Sequence, residues 1–296
     1  SLLQYGYKAV FVAIGAHRSH KIGVPGEDAD GVMGAVEFLR QVELGHPPSV
    51  GNKVAVIGGG NTAMDAARTA LRLGATDVSI VYRRSRDEMP ANPEEVHEAE
   101  VEGVKFTFLA APVRIESSSG RTTTLICQKM ALGEPDSSGR RRPVPVPGSD
   151  FSLAVDLVLS AIGQGPEREG LPQDLALSRG GTLESDPQTM ATNLSGVFAG
   201  GDAVTGTSFV VDAVGAGHRA ALSIHRYLRG EILAQPEPET NVVRMEAADL
   251  KAQARRGELA TGSRPVMPAL PASQRVGHFQ EVELGYSEEV AVAEAQ

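Results

Sequence analysis

Val54-Ala55-Val56-Ile57-Gly58-Gly59-Gly60-Asn61-Thr62-Ala63-Met64-Asp65 is the stretch whose reading decides the fold. An apolar, β-branched run breaks into three glycines and resumes as an alanine-rich segment with helical spacing. That order predicts a buried strand, a tight turn and a helix N-terminus. Gly58 permits the turn, and Gly60 lets the backbone approach a pyrophosphate. Ala63, in the place of a third glycine, keeps the helix close to the strand. Unpaired N–H groups at the helix start, at the positive end of its dipole, suit phosphate oxygens. The competing reading is a glycine turn that binds nothing.

Working outward, the helix is predicted to run from Thr62 to Leu73, with Gly74 stopping it. A second strand, Val78–Tyr82, ends in Arg83-Arg84, and a helix over Pro93–Glu102 precedes a strand at Val104–Leu109. From Pro112 to Asp156 the pattern is β-like and turn-rich. It includes a polar tip at Ser117–Gly120 and a basic loop, Arg140-Arg141-Arg142-Pro143, read as solvated or as touching a partner. Before the motif lie a strand at Lys8–Ala16, a turn at Gly23–Glu27 and a helix over Val36–Leu44. After it, Leu157–Gly163 repeats the apolar-to-glycine form of Phe11–Gly15. Two such strands would mark the crossings between one domain and another inserted in it. Gly196–Asp202 gives one more strand, and Val211–Leu228 a long helix stopped at Gly230. From Gln235 onward prolines are frequent, and only short amphipathic pieces occur, Val243–Arg255 and Ser287–Ala295. This reads as an extended tail or linker.

Composition narrows the function classes. With 296 residues the chain can hold two domains, and 33 glycines suit an α/β protein rich in ligand-facing turns. A net charge of −9 argues against general nucleic-acid binding. No apolar run reaches the roughly 18 residues of a membrane span, and the start reads as no signal peptide, so a cytoplasmic location is expected. The single cysteine, Cys127, excludes an intrachain disulfide, a CxxC redox pair and a four-cysteine iron–sulfur cluster within this sequence. Its flanks predict a half-buried strand, so Cys127 reads as a small core hydrophobe, the alternative being a reactive thiol. His17, His20, His97, His218 and His225 lack metal-ligand spacing, and no metal site is expected.

Two further segments bear on cofactors. Folds that prefer NAD place an acid at the end of the second strand, whereas arginine there favours the 2′-phosphate of NADP. That position carries Arg83 and Arg84, with no acid between Ser79 and Arg86. NADP is therefore the expected nucleotide, with NAD possible; ion pairs to Asp87 and Glu88 are the other use of these arginines. Gly200-Gly201-Asp202, between an apolar strand and a helix, puts an aspartate where it can accept from a ribityl or ribose hydroxyl. A loop aspartate facing solvent is the alternative.

The runs VAVIGGGNTAMDAARTALRLGA, VYRRSRDEMPA and GVFAGGDAVTG resemble the small (β) subunit of glutamate synthase and its flavoprotein relatives. The likeness continues through VVDAVGAGHRAALSIHRYL and covers roughly residues 7 to 230. Among these relatives are NAD(P)H-dependent ferredoxin oxidoreductases and the NADPH-side half of dihydropyrimidine dehydrogenase. The resemblance implies an α/β fold in which a Rossmann-like three-layer NAD(P)-binding domain is inserted in a partial FAD-binding domain. On that basis residues 1–46 and 166–234 are expected on the FAD side, 47–165 in the NAD(P)H domain, and 235–296 as a C-terminal tail. By position, Gly58, Gly59, Gly60, Asn61, Thr62, Arg83 and Arg84 correspond to NADPH contacts. Ala161, Ile162 and Gly163 correspond to the crossover beside the nucleotide, and Gly201, Asp202, Ser208, Phe209 and Val210 to FAD contacts. The family's cysteine-rich iron–sulfur domain and its FAD-ADP βαβ unit are expected before Ser1.

The implied reaction is hydride transfer from nicotinamide C4 to flavin N5, which needs no side-chain acid, base or nucleophile. Electrons would then leave to an iron–sulfur protein or a larger catalytic subunit. The competing reading is a nucleotide-binding scaffold subunit without flavin. Flavin absorbance distinguishes the two.

Overall fold

The computed structural model describes residues 2–136, 139–233, 246–257 and 263–295. The chain divides into two compact units, Ser1–Gln235 and Pro236–Gln296. In chain order the first unit contains β1 (Val10–Val12), β2 (Arg18–Ser19), β3 (Val32–Gly34), α1 (Ala35–Glu43), β4 (Lys53–Ile57), α2 (Asn61–Arg72) and β5 (Asp77–Tyr82). Then come α3 (Pro93–Val101), β6 (Lys105–Phe108), β7 (Ala110–Ser118), β8 (Arg121–Pro135), β9 (Arg141–Ala154) and β10 (Leu157–Ser160). It closes with β11 (Gln164–Gly165), β12 (Val197–Ala199), α4 (Asp202–Thr205) and α5 (Val210–Leu228).

A five-stranded, all-parallel sheet of order β3-β10-β4-β5-β6 is the frame. Alternation along β4 explains its burial on both faces. Val54 and Val56 join Phe38, Met64, Ala67, Val96 and Ala99 under the helical layer α1–α3. Ala55 and Ile57 face the other way, onto Ile115, Leu125 and Cys127. Those last residues belong to a three-stranded antiparallel sheet, β7-β8-β9, which covers the second face. The three layers are thus helices, parallel sheet and antiparallel sheet, where the usual doubly wound fold has helices on both sides. Alanines on α2 (Ala63, Ala66, Ala67, Ala70) are fully buried, so this helix lies close against the sheet.

A smaller parallel sheet pairs β1 with β12, Val10–Val12 opposite Val197–Ala199. Phe198 is buried there, and Phe11 packs with Met190, Ala216 and Ala220 of the neighbouring core. The chain leaves this sheet after β1 and returns to it at β12. Its outgoing and returning segments pair antiparallel as β2 and β11, Ser19 opposite Gln164. The two apolar-to-glycine strands of the sequence therefore sit in different sheets, and the segments just after them form the connecting ribbon.

Three expectations need correction. Residues 1–46 were expected on the flavin side, yet Val32–Gly34 pairs with Val158–Ser160 at the edge of the five-stranded sheet, and Phe38 of α1 is buried in its helical layer. The strand is placed by pairing with one more than a hundred residues away in sequence. Arg141-Arg142-Pro143, expected in a loop, belongs to β9, because Pro143 and Arg141 stand opposite Leu132 and Pro135 of β8. The segment expected as an extended tail forms a compact unit with α6 (Ala247–Arg255), α7 (Glu288–Glu294) and an antiparallel bridge between Ala269 and Glu283. Residues 243–245 of its first amphipathic piece lie outside the described residues. Ser287 caps α7 by accepting from the Val290 N–H, and Tyr286 donates from its hydroxyl to the Pro265 carbonyl at 2.8 Å.

Candidate dinucleotide cleft

In the five-stranded sheet the chain runs from β4 to β5 on one side, while β10 flanks β4 on the other. The carboxyl ends of β4 and β10 therefore diverge in their onward connections, which opens a crevice at that point. A cleft of about 840 Å³ lies there. Gly58, Gly59, Gly60, Asn61, Thr62, Arg83, Arg84, Ala161, Ile162 and Gly163 all line it, together with Ser208 and Phe209 from the other end of the chain.

Each glycine of the turn has its own reason. Gly58 has φ +147°, and a Cβ there would lie 2.3 Å from the Ala161 carbonyl oxygen. Ala161 is held beside it by donating its N–H to the Ile57 carbonyl at 2.8 Å. A Cβ at Gly59 would meet the Tyr82 ring at 2.6 Å. At Gly60 a Cβ would find no protein atom within 4 Å, so only the open cleft excludes a side chain. Gly60 is also the N-cap of α2, in extended backbone with no side-chain cap. No protein acceptor meets the N–H groups of Gly60, Asn61 and Thr62 among the described residues. A helix start with free donors, next to a backbone atom kept bare, fits a dinucleotide diphosphate.

The rim is fixed by its own hydrogen bonds. The Asn92 N–H donates to Asn61 Oδ1 at 2.8 Å, and the Ala91 N–H donates to the Gly59 carbonyl at 3.1 Å. Tyr82 donates from its hydroxyl to the Glu88 carbonyl at 2.7 Å. Asn61, expected to face the nucleotide, thus uses its side-chain oxygen on the loop ahead of α3. At the crossover, the His20 N–H donates to the Gly163 carbonyl at 2.9 Å and Ser160 donates from Oγ to the His20 carbonyl at 2.7 Å. The His20 ring lies 3.2 Å from where a Gly163 Cβ would stand, so this histidine packs the ribbon.

The two arginines at the end of β5 have different surroundings. Arg83 is exposed on the cleft wall, and no acceptor meets its guanidinium among the described residues. Arg84 has only 6% of its side chain exposed and pairs with Asp136 at 2.6 Å. It also donates from Nε to the Arg141 carbonyl at 2.7 Å. Arg84 thus lines the cleft while its Nε and Nη2 donate to the β8–β9 hairpin. Asp87 and Glu88 are not its partners; Glu88 accepts from Ser85, and Arg86 pairs with Glu100.

The second group of expected residues lies at the carboxyl end of β12. Gly201, with φ +67° and ψ −157°, is the N-cap of α4, which Asp202 begins. Phe209 is the N-cap of α5, which Val210 begins, and Ser208 donates from Oγ to Asp212 at 2.5 Å. A Gly201 Cβ would stand 3.5 Å from the Ala213 Cβ, so α4 and the first turn of α5 adjoin. Gly201, Asp202 and Val210 are not on the wall of the large cleft, whereas Ser208 and Phe209 are.

Sequence reasoning missed several lining residues. Ser19 lines the cleft with its Oγ buried and without a partner among the described residues. Pro90 and Arg140 line it as well. The basic run could have pointed to Arg140; nothing local singles out Ser19. Among the described residues no group of three or more His, Cys, Asp or Glu could hold a metal ion. Burial pushes the Cys127 thiol up to about 12, which leaves it protonated and inert.

A parallel sheet with a glycine turn and bare helix start at its switch point, tied by a two-stranded ribbon to a second small parallel sheet, defines a two-nucleotide flavoprotein fold. The chain belongs to the pyridine nucleotide-disulphide oxidoreductase family of FAD- and NAD(P)-binding enzymes, whose family model matches residues 2–217. It is 45% identical to the NADP(+)-dependent formate dehydrogenase subunit beta of Moorella thermoacetica, over 99% of this chain and 42% of that protein. It is 40% identical to the glutamate synthase [NADPH] small chain of Azospirillum brasilense, over 77% of this chain and 50% of that one. The chain thus spans about half the length of these relatives. Mycobacterium tuberculosis FprA in complex with NADPH has the same fold, with a TM-score of 0.64 at 20% identity over 87% of this chain and 71% of that one.

Proposed function

We propose that this chain forms the nicotinamide-nucleotide side of an FAD-dependent NAD(P)H oxidoreductase that exchanges electrons with a partner subunit. The observation that carries this reading is the cleft at the β4–α2 turn. Gly60 leaves its backbone bare, and among the described residues no protein acceptor meets the N–H groups of Gly60, Asn61 and Thr62 or the guanidinium of Arg83 on the same wall. The diphosphate would sit on the α2 N-terminus, and Arg83 would favour NADP over NAD. Ala161, Ile162 and Gly163 would flank it from β10. Gly201, Asp202, Ser208, Phe209 and Val210 would serve the flavin, Asp202 by accepting from a hydroxyl.

The chemistry supplied when both cofactors are bound is hydride transfer between nicotinamide and flavin. The chain's own residues bind and orient, and none of them moves a proton. We place residues 166–234 with β1 on the flavin side, and β3 through β10 on the nucleotide side. The partner would carry iron–sulfur clusters or be a larger catalytic subunit. The formate dehydrogenase subunit beta matches 99% of the chain and the glutamate synthase small chain 77%; both are subunits by name, which supports a partner protein. A cytoplasmic location belongs to the same reading; among the described residues no helix is long and apolar enough to cross a membrane.

Calorimetric titration with NADP+ and NAD+, alongside the visible spectrum of the purified protein, tests the proposal. Binding of NADP+ in preference to NAD+, with visible flavin absorbance, is the expected result. A colourless protein that binds NADP+ would remove the flavin assignment and leave a nucleotide-binding scaffold. Binding of neither nucleotide would remove the whole reading.

A further inference from the structure

The cleft has two ends, and the order of the strands tells them apart. In the sheet β5 lies on one side of β4, while β10 and then β3 lie on the other. A dinucleotide whose diphosphate rests on the α2 start, with its adenosine towards the end of β5, puts its nicotinamide half across the ends of β10 and β3. The cleft wall there includes Ile162, Gly163 and Gln164 after β10, Val36 in the first turn of α1, and Ser19 of β2.

The backbone of Ser19 is held at this end. It stands opposite Gln164 in the β2–β11 ribbon. The next residue, His20, is tied to the end of β10 by its N–H on the Gly163 carbonyl at 2.9 Å and by Ser160 Oγ on its own carbonyl at 2.7 Å. The Ser19 side chain is not tied. Its Oγ is buried, and no hydrogen-bond partner meets it among the described residues. It rests against Gly34, where an added Cβ would come within 2.5 Å of both Ser19 Cβ and Oγ. Gly34 has φ −70° and ψ 138°, open to any residue, so what a side chain there would take away is the space of the Ser19 hydroxymethyl group. A buried hydroxyl without a partner is costly. This one stands on a cleft wall, where a turn about χ1 between staggered positions brings it to a ligand.

We propose that Ser19 is a binding residue for the nicotinamide ring, its hydroxyl sharing a hydrogen bond with the ring's carboxamide. This inference rests on the nucleotide reading above and deepens it. A carboxamide offers a carbonyl acceptor and two N–H donors, and a serine hydroxyl both donates and accepts. A hydrogen bond at that edge of the ring sets its rotation about the glycosidic bond, and so which face it turns to the flavin.

The test is calorimetric titration of the full chain, wild type and Ser19→Ala, with NADP+ and with 2′-phospho-ADP-ribose, which is NADP+ without the nicotinamide ring. Ser19→Ala should raise the NADP+ dissociation constant about fivefold, the size of one neutral hydrogen bond, and change that of 2′-phospho-ADP-ribose by less than about twofold. Its melting temperature should not fall, because no group of the fold uses the hydroxyl among the described residues. Unchanged NADP+ binding in Ser19→Ala overturns the inference. An equal loss for both ligands overturns it too, since that marks a change in the shape of the cleft and not a lost contact to the ring. In either case a wild type that binds both ligands leaves the nucleotide reading standing. Failure of wild type to bind either ligand overturns both.

Discussion

Two strands of the first unit, β4 and β12, end in glycines that lead into helices, and their surroundings differ sharply. Strand β4 has partners on both sides, a helix layer on one face and an antiparallel sheet on the other. Its turn is walled by Ala161 and Tyr82, and the loop ahead of α3 is hydrogen-bonded onto it. Strand β12 pairs with the short β1 on one side and, on the other, with an isolated bridge from Phe198 to Ala191. Beyond it come the short α4 and then α5, whose N-cap Phe209 is 77% exposed. A similar local pattern therefore yields a self-sufficient site in one place and an apolar helix start open to its surroundings in the other. Strand–glycine–helix specifies a turn; the layers around it specify a site.

The largest expected effect falls on the walls of the first region. Glu102, at the end of α3, has no side-chain surface exposed and binds both Arg68, at 2.8 Å, and Arg72, at 2.9 Å, of α2. Glu102→Ala takes the carboxylate from Arg72, leaves Arg68 with Glu95, and should cost about 3 kcal/mol in urea unfolding. Burial on its own would raise the Glu102 carboxyl, but hydrogen bonds and charge from Arg68 and Arg72 hold it below the ordinary carboxylate value. A depressed folded pKa contributes stability that is fully present above the unfolded value of about 4.3 and is lost as pH falls through the folded one. Wild type should lose stability below about pH 4, and Glu102→Gln should flatten that part of the profile. An unchanged acid limb in Glu102→Gln would show that other carboxylates govern it.

The glycines sharpen the comparison further. Gly201 combines φ +67° with ψ −157°, a region essentially closed to other residues, so Gly201→Ala should lower stability by about 1–3 kcal/mol. Gly60 has φ −95° and ψ 176°, open to any residue, and free space where a Cβ would go. Gly60→Ala should keep stability within about 0.5 kcal/mol, since the lost N-cap preference and the stiffer unfolded chain offset one another. Its NADP+ affinity should still fall about tenfold, ~1.4 kcal/mol, because the methyl group stands where the diphosphate approaches. Equal affinity in calorimetry would mean that the cleft is used some other way. The smallest effect is expected at Phe209: Phe209→Ser should move the melting temperature by no more than about 0.5 kcal/mol would, as for other exposed positions. A larger loss would show that this face is covered in solution.

Legibility in the sequence followed the range of the interactions. Helix α2 was expected over Thr62–Leu73 and is Asn61–Arg72, and α3 was expected over Pro93–Glu102 and is Pro93–Val101. Their start and stop signals (a glycine turn, an asparagine cap with proline after it, a closing glycine) lie within a few residues of the ends. The residues at the glycine turn and at the end of β10 were also legible as neighbours, through the likeness to flavoproteins and the apolar-to-glycine pattern of both strands. The ion pair of Arg84 is not legible, because its partner Asp136 is 52 residues away, across a hairpin whose fold-back leaves no local trace. Arg140 was set aside as a solvated loop for the same reason.

By itself, then, the sequence determined the strand–turn–helix at Val54–Asp65, the helices, the excess of negative charge and the isolation of Cys127. All of these follow from neighbouring residues or from composition. Only the tertiary structure decided that β3 and α1 belong to the nucleotide sheet, that the second face is covered by strands, and that of two adjacent arginines one faces the cleft and the other is buried. Side chains on neighbouring positions of a strand point to opposite faces, and what waits on each face is chosen by pairing between distant segments.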